Sequence, residues 1–209
     1  MGQSRAVLLD SFGDPEVLDV REVPAPQAGP GQIRVRVTAA GLNPMDWIMT
    51  ADADTAARFG LSLPAGFGTD YAGLVDQAGD GVTGFAPGDR VFGGALSRSV
   101  ADHVAIDLAG AVAANEAHHN PDGVDDRTAA TLTIAGRTAS AALAVVDPGP
   151  DDTVLVGGAA GGVGVFAVQL ARIAEARVIG TGSATSGPRI RWWLPPRPSM
   201  SGSPSPSSP

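Results

Sequence analysis

The stretch from Thr153 to Gly164 constrains this chain more than any other. An apolar run, Thr153-Val154-Leu155-Val156, leads directly into Gly157-Gly158-Ala159-Ala160-Gly161-Gly162-Val163-Gly164. Beyond it, Val165 to Ala174 carries apolar residues at helical spacing. Strand, glycine turn and helix in that order leave the first N–H groups of the helix unpaired, and the helix dipole favours an anion beside them. Glycines allow the tight turn and let a pyrophosphate approach the backbone. The spacing Gly158-x-x-Gly161-x-x-Gly164 departs from the usual G-x-G-x-x-G and also suits a strand–helix connection packed closely for steric reasons. The flanking strand and helix favour a dinucleotide loop, with Gly158, Ala159, Gly161, Gly162, Val163 and Gly164 as its contacts.

A second strand at Arg177 to Gly182 would complete a βαβ opening. Sites that prefer NAD place an acidic residue near the end of this strand to accept from the ribose 2′-OH. Here no acidic residue follows Glu175, and the strand ends Gly180-Thr181-Gly182-Ser183. Small hydroxyl residues leave room for a 2′-phosphate, so Thr181 and Ser183 point to NADP (NADPH) as the cofactor.

Upstream the pattern is different. Short strands are expected at residues 5–10, 16–23, 33–39, 73–78 and 100–106, separated by turns rich in Gly, Pro and Asp, with a loop from Gly79 to Arg90 ending in Val91-Phe92-Gly93. The alternation in Ile33-Arg34-Val35-Arg36-Val37 marks a strand with one buried face. Many short strands indicate a small β-barrel or sandwich over the first 110–125 residues. An alanine-rich helix is then expected from Asp125 to about Val146, interrupted once by Gly136. The end is of another kind: residues 186–209 hold seven prolines, seven serines and no acid, with Trp192 and Trp193 beside Arg189, Arg191 and Arg197. That composition predicts an irregular or disordered tail, as a proline-rich ligand or as the product of a reading register lost near Ala184. Arg189 and Arg191 therefore receive no weight as phosphate ligands.

Composition closes several routes. The 209 residues suffice for one large or two small domains, and a hydrophobic fraction of 44% suits a buried core. A net charge of −8 argues against a general nucleic-acid surface. All 14 basic residues are arginine, which removes Schiff-base chemistry and a P-loop lysine. The absence of cysteine removes disulfides, thiol nucleophiles and cysteine-ligated zinc. The start lacks a signal-peptide core, and no apolar run is long enough for a bilayer. The expectation is a cytoplasmic protein without membrane or nucleic-acid partners.

Several pieces occur together: Phe12-Gly13-Asp14-Pro15-Glu16-Val17-Leu18, Ala39-Ala40-Gly41-Leu42-Asn43-Pro44-Met45-Asp46-Trp47, Gly68-Thr69-Asp70-Tyr71-Ala72-Gly73, Gly81 to Gly93, and Ala135-Gly136-Arg137-Thr138-Ala139. With the glycine loop, this ordered set resembles the medium-chain dehydrogenase/reductase superfamily, on its zinc-independent quinone oxidoreductase and enoyl reductase branch. The resemblance covers Arg5 to about Ser183. It implies a mixed α/β fold: a GroES-like β-barrel catalytic domain over 1–125, a partial Rossmann domain with a doubly wound parallel sheet over 126–185, and the tail from 186. It implies reduction of a quinone or enone by NADPH, and homodimeric full-length relatives. Zinc-dependent members carry a His-Glu pair where this chain reads Thr69-Asp70.

The resemblance also nominates residues. Asn43 and Asp46 match a stretch beside the nicotinamide and substrate pocket, where an amide can donate to an oxygen gaining negative charge. Asn43 equally suits a turn before proline, and Asp46 a loop-orienting or helix-capping acid. Thr138 matches a threonine contacting the nicotinamide side of the cofactor, or it bonds back along its own helix. Tyr71 reads as packing. His118 and His119, beside Asn120-Pro121, read as a solvated loop, and His103 as a strand residue. The pairs Asp52/Asp54 and Asp151/Asp152 read as turn acids. Further Rossmann strands known in the family are missing here, so a second reading stands beside the enzyme: a truncated, inactive fragment that at most binds nucleotide weakly or serves as an interaction module.

Overall fold

A computed structural model of the chain describes residues 2–109 and 115–183. The proline- and serine-rich tail, with Arg189, Arg191 and the tryptophan pair, lies outside the described residues. The chain divides into two units, Met1–Thr138 and Ala139–Pro209. Among the described residues, no helix is long and apolar enough to cross a membrane.

The first unit is an antiparallel β structure. Strands β1 (Gln3–Leu9), β2 (Asp19–Pro24) and β4 (Ala65–Gly66) form one sheet in the order β2-β1-β4. Strands β3 (Gln32–Gly41), β5 (Asp70–Ala78), β6 (Arg90–Gly94), β7 (His103–Asp107) and β8 (Glu116–His119) form a second, in the order β7-β3-β5-β6-β8. The alternation read in β3 holds: Ile33 and Val35 are buried while the flanking arginines are not. These two side chains join Tyr71, Val75, Val91, Val104 and Ile106 in one core. Fully burying a valine or isoleucine contributes about 1.5–3 kcal/mol, so this cluster is the main anchor of the sheet.

Strand pairing in this unit fixes where the first helix begins. The β3–β5 ladder shifts register between Arg34 and Val35 and again between Val37 and Ala39. Past the second shift, Ala39, Ala40 and Gly41 pair with Ala72, Tyr71 and Asp70, so the end of β3 is locked to the start of β5. Pro44 then opens helix α1 (Pro44–Ala51), with Asn43 in extended conformation at the N-cap. Helix α2 (Ala53–Arg58) comes next, capped by Asp52, whose side chain accepts from the Thr55 N–H.

Three expectations need correction. The strand expected at 16–23 begins only at Asp19, because Pro15–Val17 makes a short 3₁₀ turn. His118 and His119 are in strand β8, opposite Phe92 and Val91 of β6, not in a loop. Their rings pack on Phe92 at 5.5 Å and on Phe85 at 4.8 Å, contacts that draw them into the sheet. The single helix expected from Asp125 is three segments: α3 (Asp126–Ala129), a π-helical turn at Leu132–Gly136, and α4 (Arg137–Val146). Ala129 and Ala130 pack on Ala72 of β5, and the Ile134 N–H is drawn to the Asp70 carboxylate, so tertiary contacts override the run of helix formers.

The second unit is smaller. Strands β9 (Thr153–Val156) and β10 (Arg177–Gly180) pair in parallel, joined by helix α5 (Gly162–Ile173). Ala139, Val156, Ala159, Ala167 and Val168 form its core, with Leu143, Val154, Phe166, Leu170 and Val178 around them. This is the parallel strand–helix–strand arrangement expected from the sequence, after an antiparallel β unit. The mixed α/β architecture therefore holds over the described residues.

Candidate functional site

In the first unit the site is built at the end of β3. Asn43 caps α1, and Asp46 in its first turn accepts from the Asn43 N–H at 2.7 Å, the reciprocal half of a capping box. The other Asp46 oxygen accepts from the Thr69 hydroxyl at 2.7 Å. Asp46 is 0% exposed. Burial pushes its carboxyl up, opposed by the Asn43 backbone N–H, the Thr69 hydroxyl and the Asn43 side chain. The side chain of Asn43 reaches beyond its own turn: its Nδ2 donates to Asp70 Oδ2 at 3.0 Å. Trp47 on the same helix packs its ring 4.8 Å from that of Phe67, just ahead of Thr69.

Asp70 completes the cluster. It is 1% exposed and also accepts from the Ile134 N–H, at 3.2 Å to Oδ1. Burial pushes its carboxyl up to about 6, with the Asn43 amide and the Ile134 N–H pulling the other way and the charges of Asp46 and Glu116 adding to the rise. Among the described residues no ion pair reaches Asp46 or Asp70. Two buried carboxylates without a cation cost stability, and such groups concentrate at functional sites. Asp70 and Thr69 are not among the residues the sequence nominates: they stand where zinc-dependent relatives carry a His-Glu pair, and nothing in their spacing from Asn43 announces the contact. The one available signal was a polar pair, Thr69-Asp70, leading straight into the apolar β5.

The remaining first-unit residues have settled positions. Thr138 is exposed, and its hydroxyl donates to the Ile134 carbonyl at 2.6 Å, back along the helix. Its oxygen keeps acceptor capacity toward solvent. Tyr71 is fully buried and donates to the Glu116 carbonyl at 2.9 Å; burial raises its pKa, so it is a packing residue.

In the second unit the glycine loop has the geometry of an anion cradle. Gly158 has φ +65°, a left-handed conformation that favours glycine. The Gly161 N–H donates to Gly158 O at 2.8 Å, closing the turn, and Gly161 caps α5 in extended conformation. The N–H groups of Gly162, Val163 and Gly164 are then the first-turn donors without an intrahelical acceptor. A Cβ on Gly164 would sit 2.2 Å from Gly158 O, so only glycine lets the helix start this close to the turn. At Gly157, Gly158 and Gly162 an added Cβ would meet nothing within 4 Å. Ala159 is buried, and its N–H donates to Thr181 O at 2.8 Å, which ties the end of β10 to the loop. Thr181 and Ser183 are exposed beside it. Gly158, Gly161, Gly162 and Val163 are exposed as well, whereas Ala159 and Gly164 are inside the turn and shape it.

Comparison with known proteins agrees with this arrangement. Residues 29–167 match the alcohol dehydrogenase GroES-like domain family. A quinone oxidoreductase from Pseudomonas aeruginosa is 34% identical over 194 residues, covering 90% of this chain and 55% of that protein. The solved quinone oxidoreductase of Coxiella burnetii superposes with a TM-score of 0.82 at 30% identity, over 92% of this chain and 60% of that one. An Escherichia coli quinone oxidoreductase solved in complex with NADPH superposes at 0.78 with 28% identity, over 90% of this chain and 56% of that one. The chain thus spans little more than half the length of the curated relatives it matches. Its ordered motifs, its antiparallel unit followed by a parallel strand–helix–strand, and these likenesses agree: the chain belongs to the medium-chain dehydrogenase/reductase superfamily, on the branch that holds the quinone oxidoreductases.

Proposed function

We propose that this chain carries the NADPH-binding and substrate-polarising elements of a zinc-independent oxidoreductase that reduces a quinone or enone. The observation that carries the reading is the glycine loop at the start of α5, where the first-turn N–H groups of Gly162, Val163 and Gly164 have no intrahelical acceptor, Gly162 and Val163 are exposed, and Gly164 brings the helix against the turn. That cradle fits a pyrophosphate. Gly158, Gly161, Gly162 and Val163 would hold it, Ala159 and Gly164 would keep the loop in shape, and the exposed Thr181 and Ser183 leave space for a ribose 2′-phosphate. The likeness to an NADPH complex supports that choice of nucleotide. The domain assignment, 1–125 for catalysis and 126–185 for nucleotide binding, belongs to the same proposal.

When bound, the reduced nicotinamide supplies the hydride. The chain's own task is to polarise the acceptor. As a conjugated carbonyl gains electrons, charge collects on its oxygen, and a fixed N–H donor stabilises it. The Asn43 amide, whose Nδ2 donates to Asp70 and whose side chain also bears on Asp46, would be that donor. Asp46, buried with both oxygens engaged, holds the loop that presents Asn43 rather than touching substrate. Thr138, which by resemblance matches a threonine on the nicotinamide side, has an exposed hydroxyl oxygen. The fragment reading is the alternative, because the relatives are longer than this chain.

Gly161→Asp tests the proposal. A Cβ there meets only Gly158 O, at a tight 3.2 Å, while aspartate is a good N-cap, so the two effects oppose each other and the variant should stay folded, which a thermal melt checks. Its carboxylate occupies the place of a phosphate, so NADPH oxidation with phenanthrenequinone or a simple enone should fall at least a hundredfold. Wild-type protein with no turnover, or a variant with unchanged turnover, contradicts the reading.

A further inference from the structure

Three segments far apart in sequence meet on one carboxylate. Asp70, at the first position of β5, accepts from Asn43 Nδ2 at 3.0 Å through Oδ2. The Ile134 N–H, in the π-turn four residues before Thr138, lies 3.2 Å from Oδ1 and 3.4 Å from Oδ2. An amide facing an ionised carboxylate has no choice of orientation, because only its NH₂ end can donate. We propose that Asp70 is a positioning residue whose ionised carboxylate sets the Asn43 amide with its nitrogen inward, the orientation in which it can act as a donor, while pinning the π-turn that leads to Thr138. This rests on the reading of Asn43 as the substrate-facing donor.

Protonation reverses the logic. A neutral Asp70 carries an O–H that can donate, and an Asn43 amide turned over would present its oxygen as the acceptor in place of Nδ2. The amide then turns over and its NH₂ no longer has the same anchor. The charged groups that face Asp70 make this transition accessible. Asp46 on α1 and Glu116 on β8 both favour the protonated form of Asp70. Glu116 is itself held by Arg137 Nη1 at 2.7 Å, at the start of α4, and approached by His118 Nε2 at 3.4 Å on its own strand. Asn43 and Ile134 favour the ionised form.

Side-chain amide NMR of the full chain reads this directly, since it holds only three asparagines and five glutamines. Asn43→Ala identifies the Asn43 NH₂ signal by its loss. The signal should titrate with a midpoint near pH 6 in wild type. It should keep that titration in His118→Gln, which removes the neighbouring imidazole, and lose it in Asp70→Asn. A signal that stays flat from about pH 4.5 to about pH 8, or a titration abolished by His118→Gln, overturns the proposal. If Asp70→Asn fails to fold, the wild-type and His118→Gln titrations decide the matter alone. The signal needs neither NADPH nor turnover, so a chain without reductase activity sinks the functional reading and leaves this one to be judged separately.

Discussion

At the scale of single residues, the buried carboxylates matter most. Asp46 and Asp70 sit in the protein interior, held by hydrogen bonds and, among the described residues, with no cation paired to them. A structure that only needed stability would do better with neutral groups here. Asp70 has a folded pKa of about 6 against an ordinary 3.8, so its ionised form is disfavoured by folding. The folded state then binds more protons than the unfolded chain between these values, and stability falls as pH rises through that window. The shift corresponds to about 3 kcal/mol, fully lost once the pH is above the folded value. Asp46, shifted in the same direction, adds to the slope. Urea denaturation across the window should show wild type losing stability toward neutral pH. Asp70→Asn should lose less, with the difference between the two curves opening between about pH 4 and about pH 6. Parallel curves would remove the assigned burial cost.

At the scale of elements, the helix starts carry the proposed chemistry in both units. Helix α1 begins after a register shift that locks the end of β3 to β5, and this places Asn43 beside Asp70. Helix α5 begins within a turn whose tightness depends on Gly164. Gly164→Ala forces its Cβ to within 2.2 Å of Gly158 O and 2.8 Å of the Ala159 Cα, so it should destabilise the chain by about 1–3 kcal/mol and weaken NADPH binding. Gly157→Ala, with open space at its Cβ, should change stability by less than about 0.5 kcal/mol. Thermal melts of the two variants check the pair, and equal effects would contradict the close approach. The loop, β9, α5 and β10 were legible in the sequence because the signal is local: an apolar run, glycines at a turn, an apolar helix. The alternation in Ile33-Arg34-Val35 was legible for the same reason. The break between α3 and α4 was not, because the residues there are good helix formers and the cause is a carboxylate from β5, 64 positions earlier in the chain. Strand β8 was hidden likewise: His118 and His119 carry no strand pattern, and their place is fixed by pairing with Phe92 and Val91.

For the whole molecule, the two units carry different shares of the proposed reaction, polarisation in the first and nucleotide binding in the second. The second holds just two strands among its described residues, and Leu155 and Ile173 are 67% and 77% exposed. The match covers 55% of the length of the Pseudomonas aeruginosa relative. The central question is therefore whether this chain's glycine loop holds the nucleotide. Calorimetric titration of the purified chain of 209 residues with NADPH and, separately, NADH answers it. Saturable NADPH binding is expected, at least tenfold tighter than NADH because no acid stands at the end of β10 to accept from a ribose hydroxyl. No heat with either nucleotide, or tighter binding of NADH, would contradict it.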